Sequence, residues 1–343
     1  MTYPIDAVVA VTYRCQSRCR MCSIWRMEAR EEVPAEVYAR LPASLRDVNI
    51  SGGEPFLRKD LADVVGVVHE RLPRARIIVS TNGLMGSRLV PKALELVKID
   101  PGIGFGFSVD GIGEMQEYIR GVKGAYDSVL DAARGLLAEG VSNIRLAYTL
   151  TKENHGHMLK VYRLSRELGV QFTMSLAHES DFFFGSHDSS IVGVGGPAVR
   201  SMELGRDFET IIRSELSTWN VKSWGKAFIY QGMYEVLSEG KRPFPNRPGV
   251  DFFYLDPRGD IYPSVVHDFV MGNLAEREFD EVWSSERSDG IRAECLKDPT
   301  PHWMGCMLRK ALLDHRFSIG LWALKNKFLG TDLHTGGRGA GAM

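Results

Sequence analysis

The sequence has few cysteines, almost no net charge and no long apolar run, and each scarcity excludes a class of protein. Its five cysteines are an odd number in 343 residues, and three of them crowd into eight positions, which argues against a disulfide framework. A net charge of −1 offers no basic field to a nucleic acid. No apolar stretch approaches the roughly 20 residues of a transmembrane helix, and no signal-peptide pattern opens the chain. We therefore expect a soluble cytoplasmic protein with no transmembrane segment and no nucleic-acid partner.

Apolar, β-branched segments alternate with segments of helical spacing through the first half of the chain. This order predicts a parallel sheet covered by helices. Only six strand–helix units precede residue 178, against eight in a closed barrel. We therefore expect an α/β fold built on a partial (β/α)6 TIM-like barrel. The predicted strands are 5–12, 46–51, 76–81, 103–109, 143–150 and 170–177, and helical spacing is clearest at 60–72, 125–140 and 156–169.

The second half of the chain has a different organisation. A segment rich in Gly, Ser, His and Asp over 178–203 predicts a long loop or lid, and two short apolar runs around Pro257-Arg258-Gly259 predict a hairpin. Further helices are expected at 204–219, 225–239, 279–296 and 310–330. The predicted domains are a barrel over 1–203, a helical connector over 204–250, a C-terminal extension over 251–330 and a disordered tail over 331–343.

Three cysteines follow the first predicted strand with the spacing Cys15-x3-Cys19-x2-Cys22. Iron–sulfur clusters are held by thiolates, normally four for each [4Fe–4S] unit, so three leave one iron open to a cofactor or substrate. The neighbouring arginines would offset part of the negative charge of a cluster: Arg14, Arg18, Arg20 and Arg26. The alternative is a zinc ion with a fourth ligand from elsewhere in the chain.

The second predicted strand runs into Gly52-Gly53-Glu54-Pro55. Glycine lets the backbone approach a ligand closely, and proline fixes the direction in which the chain leaves. The carbonyl groups and the Glu54 carboxylate would then be acceptors for an ammonium group.

A CxxxCxxC loop after the first strand, followed by 51-SGGEPFL-57 after the second, resembles the radical SAM superfamily. The resemblance implies that Cys15, Cys19 and Cys22 bind three irons of a [4Fe–4S] cluster, while S-adenosylmethionine chelates the fourth. Reductive cleavage of this cofactor gives a 5′-deoxyadenosyl radical that abstracts hydrogen from the substrate. It also implies that Gly52, Gly53, Glu54 and Pro55 bind the methionine amino group, and that an electron donor such as flavodoxin or ferredoxin is needed.

Polar residues at the next strand ends resemble those of the subgroup related to peptide-maturing and molybdopterin-pathway enzymes. The resemblance makes Ser80, Asn82, Ser108 and Asp110 candidates for the ribose or carboxylate of the cofactor, although Asn-Gly and Asp-Gly are also common turn dipeptides. Arg120 is a candidate for the cofactor carboxylate or a substrate anion, or else a solvated surface residue. Met21 stands where many relatives have an aromatic residue near the adenine.

Four further residues are candidates for substrate binding or proton transfer inside the barrel. Tyr148 and Thr149 lie on the fifth predicted strand, and His178 and Glu179 follow the sixth. Polar surface is the alternative for each of them.

The segment 255–283 resembles the start of the auxiliary-cluster extension called SPASM, or its shorter form Twitch. Relatives normally have a cysteine ligand after Tyr-Pro, where this chain has Ser264. Cys295 and Cys306 remain as a possible remnant, and with an imidazole such as His267 or His302 they would make an unusual ligand set. We therefore expect no second cluster and an extension that covers the barrel mouth.

The resemblance leaves the substrate open. A small biosynthetic molecule, of the sugar or sugar-nucleotide type, is favoured because the barrel begins almost at residue 1. The alternative is a peptide, as in the maturation of ribosomally made peptides by SPASM-type relatives. A non-catalytic zinc-binding or regulatory protein is the alternative of another class.

Overall fold

Six parallel strands form the first part of a mixed sheet in the computed structural model, which describes residues 2–27, 31–178, 180, 202–245 and 247–330. Neighbours in sequence among these six are hydrogen-bonded to each other, as the β-branched segments predict. They are β1 (Asp6–Thr12), β2 (Asp47–Gly52), β3 (Arg76–Thr81), β4 (Gly104–Ser108), β5 (Ile144–Leu150) and β6 (Gln171–Leu176).

The helices of this half cover one face of the sheet. Three of them lie where helical spacing in the sequence is clearest. The other two, one before β4 and one after it, have no such clear spacing. They are α1 (Leu61–Arg71), α2 (Leu89–Ile99), α3 (Glu114–Arg120), α4 (Ala125–Ala138) and α5 (Met158–Glu167).

Alternation along each strand divides the side chains between two faces. On β1, Val9 and Val11 join the large apolar core between sheet and helices, whereas Val8 and Ala10 belong to a smaller cluster on the opposite face. That opposite face is the inside of the barrel. The neighbouring strands present small or polar residues to it, including Asn49 and Ser51 of β2, Ser80 of β3 and Thr149 of β5.

The C-terminal part of the chain continues this sheet. Its first strand pairs in parallel with β1, and the two that follow are antiparallel, which confirms the predicted hairpin. The strand order is β6-β5-β4-β3-β2-β1-β7-β8-β9. Because β6 and β9 are opposite edges of one sheet, the barrel is open, and the predicted α/β partial barrel with its C-terminal extension is confirmed. The added strands are β7 (Phe252–Leu255), β8 (Asp260–Tyr262) and β9 (Gly272–Asn273).

Six further helices accompany these strands in the described residues. Two of the predicted helices are each split in two; at Ser285 the hydroxyl accepts from the Ser288 N–H at 3.2 Å and starts a new helix. The predicted lid over 178–203 and tail over 331–343 lie mainly outside the described residues. The helices are α6 (Met202–Ser217), α7 (Val221–Glu239), α8 (Phe279–Trp283), α9 (Glu286–Cys295), α10 (Arg309–Asp314) and α11 (Arg316–Leu329).

Charged residues join the extension to the amino ends of the barrel strands. Arg309 of α10 binds Asp6 of β1 at 2.9 Å and Asp47 of β2 at 2.5 Å. Arg76 of β3 also pairs with Asp47. The bottom of the barrel is therefore tied to the extension, and the carboxyl ends of the strands remain for a site.

None of the helices in the described part of the chain is long and apolar enough to cross a membrane.

The junction between barrel and extension can be tested at Phe253 of β7, which is fully buried and packs on Phe279 and Trp283 with ring centroids 5.1 and 6.0 Å away. Phe253→Ala should lower the free energy of unfolding by about 3–5 kcal/mol, because it removes a buried ring and leaves a cavity. Phe317, which is 75% exposed, supplies the control, and Phe317→Ala should cost less than about 0.5 kcal/mol. Urea unfolding measures both, and equal losses would contradict this packing.

Candidate functional site

The three cysteines lie on the loop that follows β1, at the carboxyl edge of the sheet. This loop is clamped to the end of α3 by backbone hydrogen bonds, in which Arg18 N–H donates to Arg120 O and Arg20 N–H donates to Ile119 O, both at 2.9 Å. The Ser17 hydroxyl also donates to Arg120 O at 3.1 Å. The spacing of the cysteines is thus held by a neighbouring helix end.

Gly52, the last residue of β2, and Gly53 fix the start of the same loop. Gly53 N–H donates to Thr12 O at 2.7 Å, and Glu54 N–H donates to Arg14 O at 2.8 Å. A Cβ atom on Gly53 would lie 2.3 Å from Arg14 O, and one on Gly52, where φ is +118°, would lie 2.3 Å from Thr12 O. The glycines are therefore required by the backbone that leads into Cys15, and their contact with a bound ligand stays a prediction.

Glu54 is fully buried and joins the ends of two strands. Its carboxylate accepts from Phe56 N–H at 3.3 Å, from the Thr81 hydroxyl at 2.8 Å and from Asn82 N–H at 2.8 Å. Burial raises the pKa of Glu54 to about 7. Pro55 starts a short 3₁₀ turn, Pro55–Leu57. The carboxylate is thus a positioning group, and its role toward a methionine amino group stays a prediction.

Polar groups from three elements touch the cysteine sulfurs. Arg120 Nη1 lies 3.5 Å from Cys19 Sγ, and the Ser17 hydroxyl lies 3.0 Å from the same atom. Asn82 Nδ2 lies 3.7 Å from Cys15 Sγ. Arg120 and Asn82 donate to atoms that would carry negative charge as thiolates, so these two contacts suit anionic sulfur.

Burial also affects the protonation of the loop. It raises the pKa of Cys15 to about 11 and that of Cys22 to about 12. Both thiols therefore hold their protons at neutral pH until a metal displaces them.

Arg120 and Asp110 form a buried ion pair at 2.5 Å. Asp110 also accepts from Thr149 N–H at 2.8 Å, which links β4 to β5. The Arg120 Nε atom is buried and has no hydrogen-bond partner among the described residues. Arg120 is therefore not a solvated surface residue, and one donor remains for an anion.

Three arginines within the cysteine loop have partners of their own, and their effect on the charge of a cluster stays a prediction. Arg14 pairs with Glu32 at 2.6 Å, Arg20 stacks 3.9 Å above the Tyr118 ring, Arg26 lies 4.8 Å from the Trp25 ring, and Arg18 is exposed. The cation that reaches a cysteine is Arg120, about a hundred residues away in sequence. Sequence spacing alone gives no sign of that contact.

The other strand-end candidates lie close to the predicted rim. The Ser80 hydroxyl donates to Asn49 Oδ1 at 2.8 Å, and the Ser108 carbonyl accepts from Gln116 Nε2 at 2.9 Å. Gln116, which also accepts from Asp110 N–H at 2.6 Å, holds the end of β4, although the sequence assigned it no role. Met21 is half-buried in the cysteine loop, and its packing on an adenine stays a prediction.

Two of the candidates for substrate binding are neighbours on β5, and the pleat of the strand places them on opposite faces of the sheet. Thr149 lies on the inner face, but Tyr148 belongs to the core beneath the helices, where its hydroxyl donates to Asn154 O at 2.6 Å. The expectation that Tyr148 points into the barrel is therefore wrong, because adjacent strand residues face opposite sides. His178 is buried two residues beyond β6, and Glu179 lies outside the described residues.

The spacing of the sulfur atoms argues against one zinc ion in the cysteine loop. Among the described residues, the one group of three His, Cys, Asp or Glu ligand atoms within 4.8 Å of one another is His267, Asp298 and His302. At least one pair of the loop sulfurs is therefore farther apart. A tetrahedral zinc ion with bonds of about 2.3 Å would hold its sulfurs about 3.8 Å apart. The separation of that pair and the contact of Arg120 with Cys19 favour an anionic iron–sulfur cluster over zinc.

The comparisons with known proteins agree with this geometry. Residues 9–165 match the radical SAM superfamily, and residues 249–306 match SPASM, an iron-sulfur cluster-binding domain. Pre-heme d1 synthase of Dinoroseobacter shibae is 26% identical over 320 residues, which are 85% of this chain and 75% of that protein. Fe-coproporphyrin III synthase of Methanosarcina barkeri is 32% identical over 165 residues, 46% of this chain and 40% of that protein.

The solved structures show the same fold. Streptococcus suis SuiB bound to S-adenosylmethionine has a TM-score of 0.61 at 16% sequence identity, over 89% of this chain and 72% of that chain. At this identity the likeness concerns the fold alone.

Gly53→Ala tests the contact that starts the cysteine loop. The new methyl group would press on Arg14 O and move Cys15, so anaerobically purified protein should contain much less iron while its circular dichroism changes little. Gly66→Ala is the matched control, since nothing lies within 4 Å of a Cβ at that position of α1. Iron content is measured by a colorimetric assay, and full iron loading of Gly53→Ala would disprove the contact.

Arg120→Met tests the buried ion pair. It should lower the free energy of unfolding by about 3–5 kcal/mol, because Asp110 is left as a buried charge without its partner. The double variant Arg120→Met/Asp110→Asn should recover part of that loss. Arg213 pairs with Glu209 at 2.5 Å with a side chain 58% exposed, and Arg213→Met should cost less than about 1 kcal/mol. Urea unfolding that finds the Arg120 and Asp110 changes strictly additive would refute the coupling.

Proposed function

Because this chain is an enzyme of the radical SAM superfamily with a SPASM region, we propose that it performs hydrogen abstraction on a small biosynthetic molecule bound over the carboxyl ends of β1–β6. The observation that carries this proposal is the set of contacts at the cysteine sulfurs, where Arg120, Ser17 and Asn82 converge on Cys19 and Cys15. A structural zinc loop would not require a buried cation beside its sulfur.

Cys15, Cys19 and Cys22 would hold the [4Fe–4S] cluster, which supplies the electron that cleaves bound S-adenosylmethionine to a 5′-deoxyadenosyl radical. Arg120 would offset negative charge at Cys19 and orient an anionic group through its buried Nε atom. Glu54 and the glycine pair keep the loop in place. Ser80, Asn82, Ser108 and Asp110 remain our candidates for the cofactor, with Asp110 acting through Arg120.

For the substrate, we favour a tetrapyrrole carboxylic acid. The support is similarity to a pre-heme d1 synthase along 85% of the chain and to an Fe-coproporphyrin III synthase along 46% of it. Both names point to small molecules of the heme type. We therefore favour this substrate class over the sugar type expected from the sequence alone. Thr149 and the other small polar residues of the inner face would contact it. A peptide substrate is the second candidate, since Streptococcus suis SuiB, which has the same fold, has been solved bound to a precursor peptide.

The chemistry also suggests what surrounds the enzyme. The cluster needs one electron for each cleavage, and we propose a flavodoxin or a ferredoxin as the donor. Free thiols as cluster ligands fit a reducing cytoplasm. The match to SPASM implies a further cluster in relatives, whereas Ser264 in place of a cysteine leads us to keep the prediction that this chain has none.

The proposal is tested with anaerobically purified full-length protein. It should be brown with about four irons and four sulfides per chain, and it should release 5′-deoxyadenosine when dithionite and S-adenosylmethionine are added. Addition of coproporphyrin III, with or without iron, should increase that release and shift the mass of the tetrapyrrole, as measured by liquid chromatography and mass spectrometry. Stimulation by a peptide library instead would favour the second candidate.

Two cysteine variants provide the controls for this experiment. Cys19→Ala should abolish both the iron and the 5′-deoxyadenosine. Cys295→Ser changes the same residue type in the extension and should leave cleavage of S-adenosylmethionine intact. Colourless wild-type protein with one zinc per chain would overturn the proposed function.

A further inference from the structure

Three potential metal ligands converge in the extension, away from the cysteine loop. His267 lies on the segment after β8, Asp298 lies in the turn after α9, and His302 lies four residues farther on. Both imidazoles are buried, and the Asp298 side chain is 25% exposed. No other group of three such ligand atoms comes this close together in the part of the chain that the structure describes.

The distances suit a single ion. His267 Nε2 lies 3.2 Å and His302 Nε2 lies 3.1 Å from the same Asp298 Oδ2 atom, and the three ligand atoms are all within 4.8 Å of one another. Ligands bound at about 2.0–2.2 Å stand roughly 3.0–3.4 Å apart in octahedral or tetrahedral geometry. Both imidazoles direct the same ring atom to one carboxylate oxygen, so a small cation would be enclosed with little movement.

The second nitrogen of each imidazole is held by another buried group. His267 Nδ1 lies 2.7 Å from the Ser264 hydroxyl, and His302 Nδ1 lies 3.4 Å from His178 Nδ1. Metal-bound histidines are ordinarily fixed through their other ring nitrogen in this way. His178 Nε2 is buried and has no hydrogen-bond partner among the described residues. Ser264 and His178 would therefore be positioning residues for the two imidazoles.

An iron–sulfur cluster does not fit this donor set. Relatives have a thiolate where Ser264 stands, and here its oxygen is used by His267 Nδ1 and by Val266 N–H at 3.2 Å. Cys295 is buried at the end of α9, but its sulfur is not part of the three-ligand group. Imidazole and carboxylate donors select a borderline divalent ion such as Zn²⁺ or Fe²⁺. The SPASM region of this chain thus offers nitrogen and oxygen where a cluster needs sulfur.

We infer that His267, Asp298 and His302 bind one divalent first-row metal ion in the SPASM region, in place of an auxiliary cluster. Three protein ligands leave at least one coordination position for water or a substrate atom, as in catalytic zinc sites. A substrate over the strand ends could reach this open coordination position. His178, which contacts His302, follows β6 at the carboxyl edge of the sheet. From His302 the chain continues to Met304 and Met307, which pack with Tyr13 and Ile24 beside the cysteine loop. The ion would therefore lie on the segment that crosses the barrel mouth.

The test uses the full chain with Cys15, Cys19 and Cys22 all replaced by alanine, so that the loop cannot bind zinc. After incubation with Zn²⁺ and desalting, this protein should retain about one zinc per chain by mass spectrometry, and Zn²⁺ should raise its melting temperature. Asp298→Asn and His302→Gln in the same background should retain almost none and lose that shift. Their melting temperatures without metal show whether they still fold.

Matched variants separate this site from incidental binding. His69 lies 3.8 Å from Asp100, another imidazole beside a carboxylate, and His69→Gln should leave zinc retention unchanged, as should Cys295→Ser. Ser264→Ala should fold normally and weaken zinc affinity by about 10- to 100-fold, measured by competition with a chromophoric chelator. Retention that survives Asp298→Asn, or that depends on Cys295, would overturn the inference.

The wild-type protein gives an independent measurement. Its iron content should stay near four per chain, with zinc bound in addition, whereas about eight irons and no zinc would show a second cluster and refute the divalent site. Metal retention is measured without S-adenosylmethionine. A failed metal site therefore leaves the test of 5′-deoxyadenosine release untouched, and the converse also holds.

Discussion

The site depends on one close contact between backbones. Gly53 N–H and Glu54 N–H donate to Thr12 O and Arg14 O, so the segment after β2 lies against the residues that lead into Cys15. Only glycine permits this approach, because a Cβ on Gly52 or Gly53 would lie 2.3 Å from a carbonyl oxygen. Cys15 is thereby fixed by the ends of two parallel strands.

The end of α3 provides a second constraint on the cysteine loop. Arg120, at the end of α3, brings a buried positive charge to Cys19 and is itself held by Asp110, which accepts from Thr149 N–H. The cation that contacts the Cys19 sulfur therefore comes from α3, and Asp110 after β4 holds it in place. A buried cation is costly unless it is paired, so Asp110 and Cys19 together account for its position.

Local patterns in the sequence predict the elements of this fold better than the contacts between them. The period of two in β1–β6 and the glycine-rich turns act within short segments, and the predicted strands agree with the structure to within one or two residues. The sequence alone does not place Tyr148 on the correct face, because choosing between adjacent residues requires knowing which side of β5 the helices cover. The contact of Arg120 with Cys19 joins residues 101 positions apart and has no local signature. The same holds for β7, whose pairing with β1 extends the barrel sheet into the extension.

The extension covers part of the inner face of the open barrel. β7 continues the sheet beside β1, and Phe252 and Tyr254 fill the inner face there, together with Val8 and Ala10. Trp303 is buried in the opposite direction, where its Nε1 atom donates to Ile229 O of α7 at 2.9 Å. Residues 302–307 are thus held from both sides, by α7 and by the cluster beside the cysteine loop. A segment anchored in this way stays in place beside the cysteine loop whether or not an ion binds to it, and a reactive radical requires surroundings from which water is excluded.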